Sequence, residues 1–170
     1  MILELHMPEG HDAAALKPLV PSLLTYLLSF IYLGIYWTNH HHLLHACDRI
    51  NGKILWANLH LLFWLSLVPF ATGWMNESHF ASLPVAAYGF TLLMAALSWT
   101  IMLVPIKAIH GPDSVVARAT GGWKENVSLV LYLAGIALAF VHPALAGACY
   151  VAVALLWLIP DTRIERGFKS

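Results

Sequence analysis

The sequence predicts an all-α protein, a polytopic membrane helix bundle that forms a single integral membrane domain over residues 1–170. Its composition is the first reason: 59% of the residues are hydrophobic and 11% are charged, whereas a soluble domain carries about 25% charged residues. The second reason is that the chain has uncharged stretches long enough to cross about 30 Å of hydrocarbon. The third reason is the one-sided distribution of Lys and Arg between those stretches. Basic and acidic residues are equally numerous, so nothing indicates a nucleic-acid partner.

Five membrane spans are expected in the chain. They are predicted at residues 19–37, 54–75, 83–106, 126–142 and 144–159. The last two come from one stretch, Asn126 to Ile159, which lacks Asp, Glu, Lys and Arg. As a single helix this stretch would be about 50 Å long, which is too long for one crossing. Because Pro143 follows His142 near its middle, we predict a tight hairpin of two short spans there.

Basic residues orient these spans. Lys17 lies on one side of the predicted bundle, and the other eight Lys and Arg lie on the opposite side. Since Lys and Arg accumulate in cytoplasmic loops, we expect the C-terminus in the cytoplasm and the N-terminus outside. The opening segment, Met1 to Pro8, is typical of the end of an apolar helix, and it lacks the basic start of a signal peptide. We therefore hypothesise that a first transmembrane helix is missing from this reading frame.

A polar stripe runs along the first predicted span. Its members recur at three- and four-residue steps and so share one helix face: Ser22, Thr25, Ser29, Tyr32, Tyr36 and Asn39. Such a stripe faces either protein or water. Ser and Thr permit close helix packing with interhelical hydrogen bonds, which is one interpretation, and Gly34 favours it. The other interpretation is a stripe that faces a pore or cavity.

A histidine cluster, His40 to His45, follows Trp37 at the end of this span. On a continuing helix, His45 shares a face with both His41 and His42, as in sites that bind a metal or haem iron. No Cys, Asp or Glu completes such a site at convincing spacing, and both cysteines are interpreted as packing residues. A structural hydrogen-bond network at the cytoplasmic interface, a metal or haem site and a proton relay all stay open. No cofactor is expected.

Several uncommon residues then recur in an order that resembles a known family. They are Tyr26-Leu27-Leu28-Ser29-Phe30, Gly34, Tyr36-Trp37, Asn39-His40-His41, Leu43-Leu44, Trp56, Asn58-Leu59, Ser66 and Pro69-Phe70. Their pattern resembles the second and third helices of the bacterial transmembrane protein 175 family, potassium-selective channels related to the lysosomal potassium channel. The resemblance is dense over residues 3–72, and beyond them only span spacing and apolar character agree.

The resemblance implies six helices per subunit and a homotetramer around one central pore in the bacterial inner membrane. It also implies that the first helix lines the pore with bulky apolar side chains and begins with an Arg-x-x-x-Phe-Ser-Asp motif, which is absent here. Ile2, Leu3 and Leu5 would be the remnant of that pore helix. Trp37, His41 and Asn58 would brace the missing motif through hydrogen bonds.

These implications predict a potassium-selective, leak-type channel rather than an enzyme, with potassium ions and the lipid bilayer as its partners. A pore with apolar constrictions gates by wetting and needs no carbonyl filter, and no Thr-Val-Gly-Tyr-Gly segment occurs. No arginine run that would sense voltage occurs either. The alternatives are a histidine-based proton-coupled transporter, a membrane haem or metal protein, and a scaffold subunit that is inert without a complete pore helix.

Overall fold

Five α-helices form the fold of the computed structural model, which describes residues 17, 19–45, 47, 49–111, 114 and 122–158. They are α1 Val20–His45, α2 Gly52–Glu77, α3 Ser82–His110, α4 Trp123–Ala139 and α5 Pro143–Leu158. Helices α1, α2 and α3 are long and apolar enough to cross a membrane, and α5 is a shorter apolar helix. These ranges contain no β-strand. The predicted all-α bundle of five helices is therefore confirmed.

The ends of the helices follow local sequence signals. Asn51 begins α2, because its side chain accepts a hydrogen bond from the backbone N–H of Ile54 at 3.1 Å. Helix α2 continues through Pro69. Helix α4 ends at Ala139 and α5 begins at Pro143, so the structure breaks the long apolar stretch where proline predicts a break.

The turn between α2 and α3 holds two consecutive non-glycine residues in the left-handed region. His79 has a φ of 49° and Phe80 a φ of 59°. This conformation costs free energy in residues that carry a Cβ atom. Phe80 turns inward and packs against the core cluster that contains Val85 and Tyr88. Apolar burial thus offsets the backbone cost and fixes the antiparallel α2–α3 hairpin.

The core lies around α3, which has fourteen buried residues, whereas α1 has four. It divides into two clusters. One surrounds Tyr32, Tyr88, Tyr132 and Tyr150 and contains residues of all five helices. The other joins the end of α1 to the start of α2 and the second half of α3, with Met102 and Ile54 fully buried.

Tyr150 on α5 joins three helices at the centre of the first cluster. Its hydroxyl donates to the Val85 carbonyl of α3 at 3.2 Å, and its ring packs edge-on against Tyr88. Gly89 and Gly135 make room for this ring. A Cβ atom built on either glycine would lie 2.5 Å from a carbon of the Tyr150 ring, which is closer than packed atoms allow. Glycine is therefore required at both positions because α3 and α4 approach Tyr150 so closely.

Candidate functional site on helices α1 and α2

The polar stripe of α1 makes hydrogen bonds inside the bundle. Thr72 donates its hydroxyl proton to the Val68 carbonyl at 2.7 Å, so Ser29 must donate to Thr72 across 2.7 Å. Tyr88, 3.1 Å from Ser29, is then the donor to the Ser29 oxygen. One directed chain of hydroxyls therefore connects α3, α1 and α2. Because Ser29 and Tyr88 are completely buried, this part of the stripe serves helix packing.

Tyr32 extends the same pattern towards α5. Its hydroxyl donates to the backbone carbonyl of Tyr150, and its ring is 2% exposed. Gly34 behaves differently, because it is exposed and a Cβ atom added to it would meet nothing within 4 Å. The expectation that Gly34 allows close packing is therefore not met by any contact within the described part of the chain.

Asn58 has a hydrogen-bond partner on α1, and that partner is His40. The His40 Nε2 atom lies 2.6 Å from the Asn58 Oδ1 atom, which can only accept, so Nε2 carries the proton. This bond joins the end of α1 to the start of α2. Reasoning from the sequence singled out Asn58 but missed His40 as its partner. The available signal was spacing, since His40 follows Tyr36 by four residues and continues the polar face of α1.

Trp37, His41 and His45 form a stack of three rings along the outside of α1. The Trp37 and His41 rings are 5.6 Å apart with 15° between their planes, and the His41 and His45 rings are 6.1 Å apart with 9° between theirs. Trp37 is 69% exposed. Of the three residues predicted to brace the pore helix, Trp37 and His41 therefore contact each other, whereas Asn58 contacts His40.

His60 on α2 is held between two partners in a defined tautomer. Ser98 donates its hydroxyl proton to the Met94 carbonyl at 2.7 Å, so the His60 Nδ1–H group donates to Ser98 at 2.9 Å. The His60 Nε2 atom accepts from the indole N–H of Trp64 at 3.1 Å. Each ring nitrogen therefore has its own partner, and the half-buried His60 ties α2 to α3.

A broad apolar surface remains uncovered on the outer faces of α1 and α2. Leu27 and Phe30 on α1 are 50% and 58% exposed, and Trp56 and Phe70 on α2 are 75% and 66% exposed. Exposed apolar area of this extent is expected against lipid or at a contact between subunits. No three metal-ligating side chains are grouped within the described ranges. The predicted pore remnant, Ile2, Leu3 and Leu5, lies outside those ranges.

Comparison with known proteins places the chain in a family. Residues 1–69 match the family model described as endosomal/lysosomal potassium channel TMEM175. A potassium channel of Chryseobacterium sp. (strain P1-3) is 51% identical over 171 aligned residues, which cover 100% of this chain and 89% of that protein. A potassium channel of Streptomyces collinus is 26% identical over 92% of this chain and 82% of its own length. No solved structure matches. The chain therefore belongs to the endosomal/lysosomal potassium channel TMEM175 family.

Proposed function

We propose that the chain is a subunit of a potassium-selective, leak-type ion channel that assembles around a central pore with apolar constrictions. One observation carries this proposal: similarity to a protein named as a potassium channel extends over the whole chain at 51% identity. The bundle agrees with it, since three helices are long and apolar enough to cross a bilayer. Potassium ions and lipid are the partners in this proposal.

A homotetramer is the proposed assembly, and the uneven burial of the helices supports it. Helix α1 has only four buried residues although it has the length of a membrane span. Its apolar outer face, with Leu23, Leu27 and Phe30, is not covered by any of the residues that the structure describes. We assign this face to contacts with the pore-lining segment and with neighbouring subunits.

Trp37, His41 and Asn58 are proposed to brace the pore-lining segment rather than to touch the ion. Trp37 and His41 are exposed and hold each other by ring stacking, so both present polar N–H groups at the surface of α1. Asn58 is fixed on the neighbouring helix by its bond to His40. A helix packed on this surface would meet preordered hydrogen-bonding groups. Ile2, Leu3 and Leu5 are the proposed apolar pore remnant.

The proposed orientation places the C-terminus in the cytoplasm of a bacterial inner membrane. The support is the distribution of basic residues, with eight of nine Lys and Arg on one side of the predicted bundle. In the proposed mechanism, a ring of apolar side chains admits the ion only when the pore is wetted. No arginine run that would respond to voltage occurs in the chain, so a leak is the expected behaviour.

Proteoliposomes test this function. The chain is reconstituted in vesicles loaded with K⁺, diluted into Na⁺ or into N-methylglucamine, and K⁺ efflux is recorded with a pH-clamped interior. We expect K⁺ efflux that exceeds the Na⁺ flux measured in the reverse arrangement. Empty vesicles are the control, and valinomycin reports the total trapped K⁺. Proton flux that follows a pH gradient in the absence of K⁺ would contradict the proposal and indicate a proton-coupled transporter. The absence of any flux would contradict it as well and indicate a scaffold subunit.

A further inference from the structure

The C-terminal end of α1 carries three exposed histidines, His41, His42 and His45, of which the proposed channel uses only His41. His41 and His45 are four residues apart on one helix face, and both are exposed. Their rings are parallel within 9°, with centroids 6.1 Å apart. The ring of His42 stands edge-on to that of His41 at 5.8 Å. Imidazole nitrogens are thus concentrated on one accessible turn of the helix.

Two imidazoles at this spacing are a good ligand pair for a divalent transition metal ion. Each would bind through one nitrogen at about 2.0–2.1 Å, which brings the two nitrogens closer together than the stacked rings hold them. Rotation of the two side chains achieves this, because both are exposed and lose only ring stacking. Water would occupy the remaining coordination positions, since no group of three metal-ligating residues exists in the described part of the chain.

The position of the pair on α1 also favours a cation. His45 is the last residue of the helix, where carbonyl groups lack intrahelical partners and the helix dipole is negative. A metal ion bound by His41 and His45 would lie against this negative end. We propose that His41 and His45 form a two-histidine site for a divalent transition metal, with Cu²⁺ bound more tightly than Ni²⁺ or Zn²⁺. The metal competes with the proposed bracing contact of His41, so it binds a subunit in which no other segment covers His41, and binding does not depend on potassium conduction.

Trp37 provides an optical reporter for this site. Its ring stacks on His41 at 5.6 Å, so a Cu²⁺ ion bound at His41 would lie beside the indole and quench its fluorescence. The full chain, purified in detergent without a polyhistidine tag, is titrated with CuCl₂ while tryptophan emission and the bound metal are both recorded. We expect saturable quenching with one Cu²⁺ bound per chain, and weaker binding of Ni²⁺ and Zn²⁺ in parallel titrations.

Two sets of variants test the ligands. His41→Ala and His45→Ala are each expected to raise the Cu²⁺ Kd at least tenfold, because one ligand cannot chelate. His41→Gln and His45→Gln repeat the measurement with a polar side chain retained, and circular dichroism establishes that each variant is folded. Trp37→Phe is expected to lower the quenching amplitude while the amount of bound metal stays the same.

The double variant His79→Ala/His142→Ala is the matched control. It removes two exposed histidines that lie far apart in the sequence and have no histidine four residues away. Its Cu²⁺ Kd is expected to equal that of the wild type. Wild-type affinity in both the His41 and the His45 variants would overturn the proposal, and so would an equal loss in the control. Because the titrations need no ion gradient, their failure is distinguishable from a failure of potassium flux.

Discussion

Helices α1 and α3 have similar length and apolar character but opposite surroundings. Helix α3 contributes fourteen buried residues and lies at the centre of both core clusters. Helix α1 contributes four, and besides a few apolar contacts it is joined to the bundle by hydrogen bonds of Ser29, Tyr32 and His40. Apolar character alone therefore does not reveal which helix forms the subunit interior. The difference indicates that α3 forms most of the interior of the bundle, whereas most of α1 lies at its surface.

Among these substitutions, Gly89→Ala in α3 is expected to lower the stability of the protein most, and it is compared with the same change at Gly34 in α1. Gly89→Ala in α3 would place a Cβ atom 2.5 Å from a carbon of the Tyr150 ring, and displacing this buried ring would disturb its packing and its hydrogen bond to the Val85 carbonyl. We expect a loss of about 1–3 kcal/mol in the free energy of unfolding, typical of an overpacked core. Thermal unfolding of the purified protein in detergent measures it.

Gly34→Ala in α1 is the matched control for that substitution. Nothing lies within 4 Å of the added methyl group, and alanine favours a helix over glycine by up to about 1 kcal/mol. We expect its midpoint of unfolding to equal or exceed that of the wild type. Equal destabilisation by the two substitutions would show that α1 and α3 are packed alike, which would contradict the difference in burial between them.

A smaller effect is expected where α1 is tied to the bundle. Ser29→Ala removes the hydroxyl that links Tyr88 to Thr72, so the Tyr88 hydroxyl loses its acceptor in a fully buried place. Hydrogen bonds between membrane helices contribute about 0.6–1.7 kcal/mol, so a loss of about 1 kcal/mol is expected. Ser66→Ala is the control, because the exposed Ser66 hydroxyl bonds only to the Phe63 carbonyl of its own helix. Equal losses in the two variants would contradict a special role for Ser29.

A still smaller effect on the stability of the subunit, with a larger one on assembly, is expected near the C-terminal end of α1, where Trp37 lies. In the proposed tetramer, Trp37→Ala and Asn58→Ala should weaken assembly more than they change ion selectivity, because neither side chain is proposed to touch the ion. Trp37 is 69% exposed within the chain, so its loss should barely alter unfolding of the subunit. Chemical cross-linking and gel filtration measure assembly, and flux ratios measure selectivity.

His40→Ala tests the role of Asn58 through its hydrogen-bond partner. His40 holds Asn58 through a 2.6 Å hydrogen bond, so its removal should reproduce the effect of Asn58→Ala, and the double variant should add little. A change in selectivity with assembly intact in any of these variants would contradict the bracing role.

Hydropathy and proline placement predicted the helical bundle and the break before Pro143, because both signals are local in the sequence. The sequence could not indicate which histidine meets Asn58, since His40 and His41 differ only by a rotation of about 100° around α1. Nor did it single out Gly89 and Gly135, because the lack of space for a side chain at these positions comes from Tyr150, which lies on another helix. Pairings across helices depend on the rotation of each helix about its axis, which hydropathy does not determine.

A reversal potential measures the proposed potassium selectivity of the assembled protein. The chain is reconstituted in a planar bilayer with K⁺ on one side and an equal concentration of Na⁺ on the other, with one common anion. A potassium-selective leak without voltage-dependent gating predicts a steady current that reverses at a potential negative on the K⁺ side. A current that reverses at zero would contradict potassium selectivity, and no current from a verified assembly would contradict channel function.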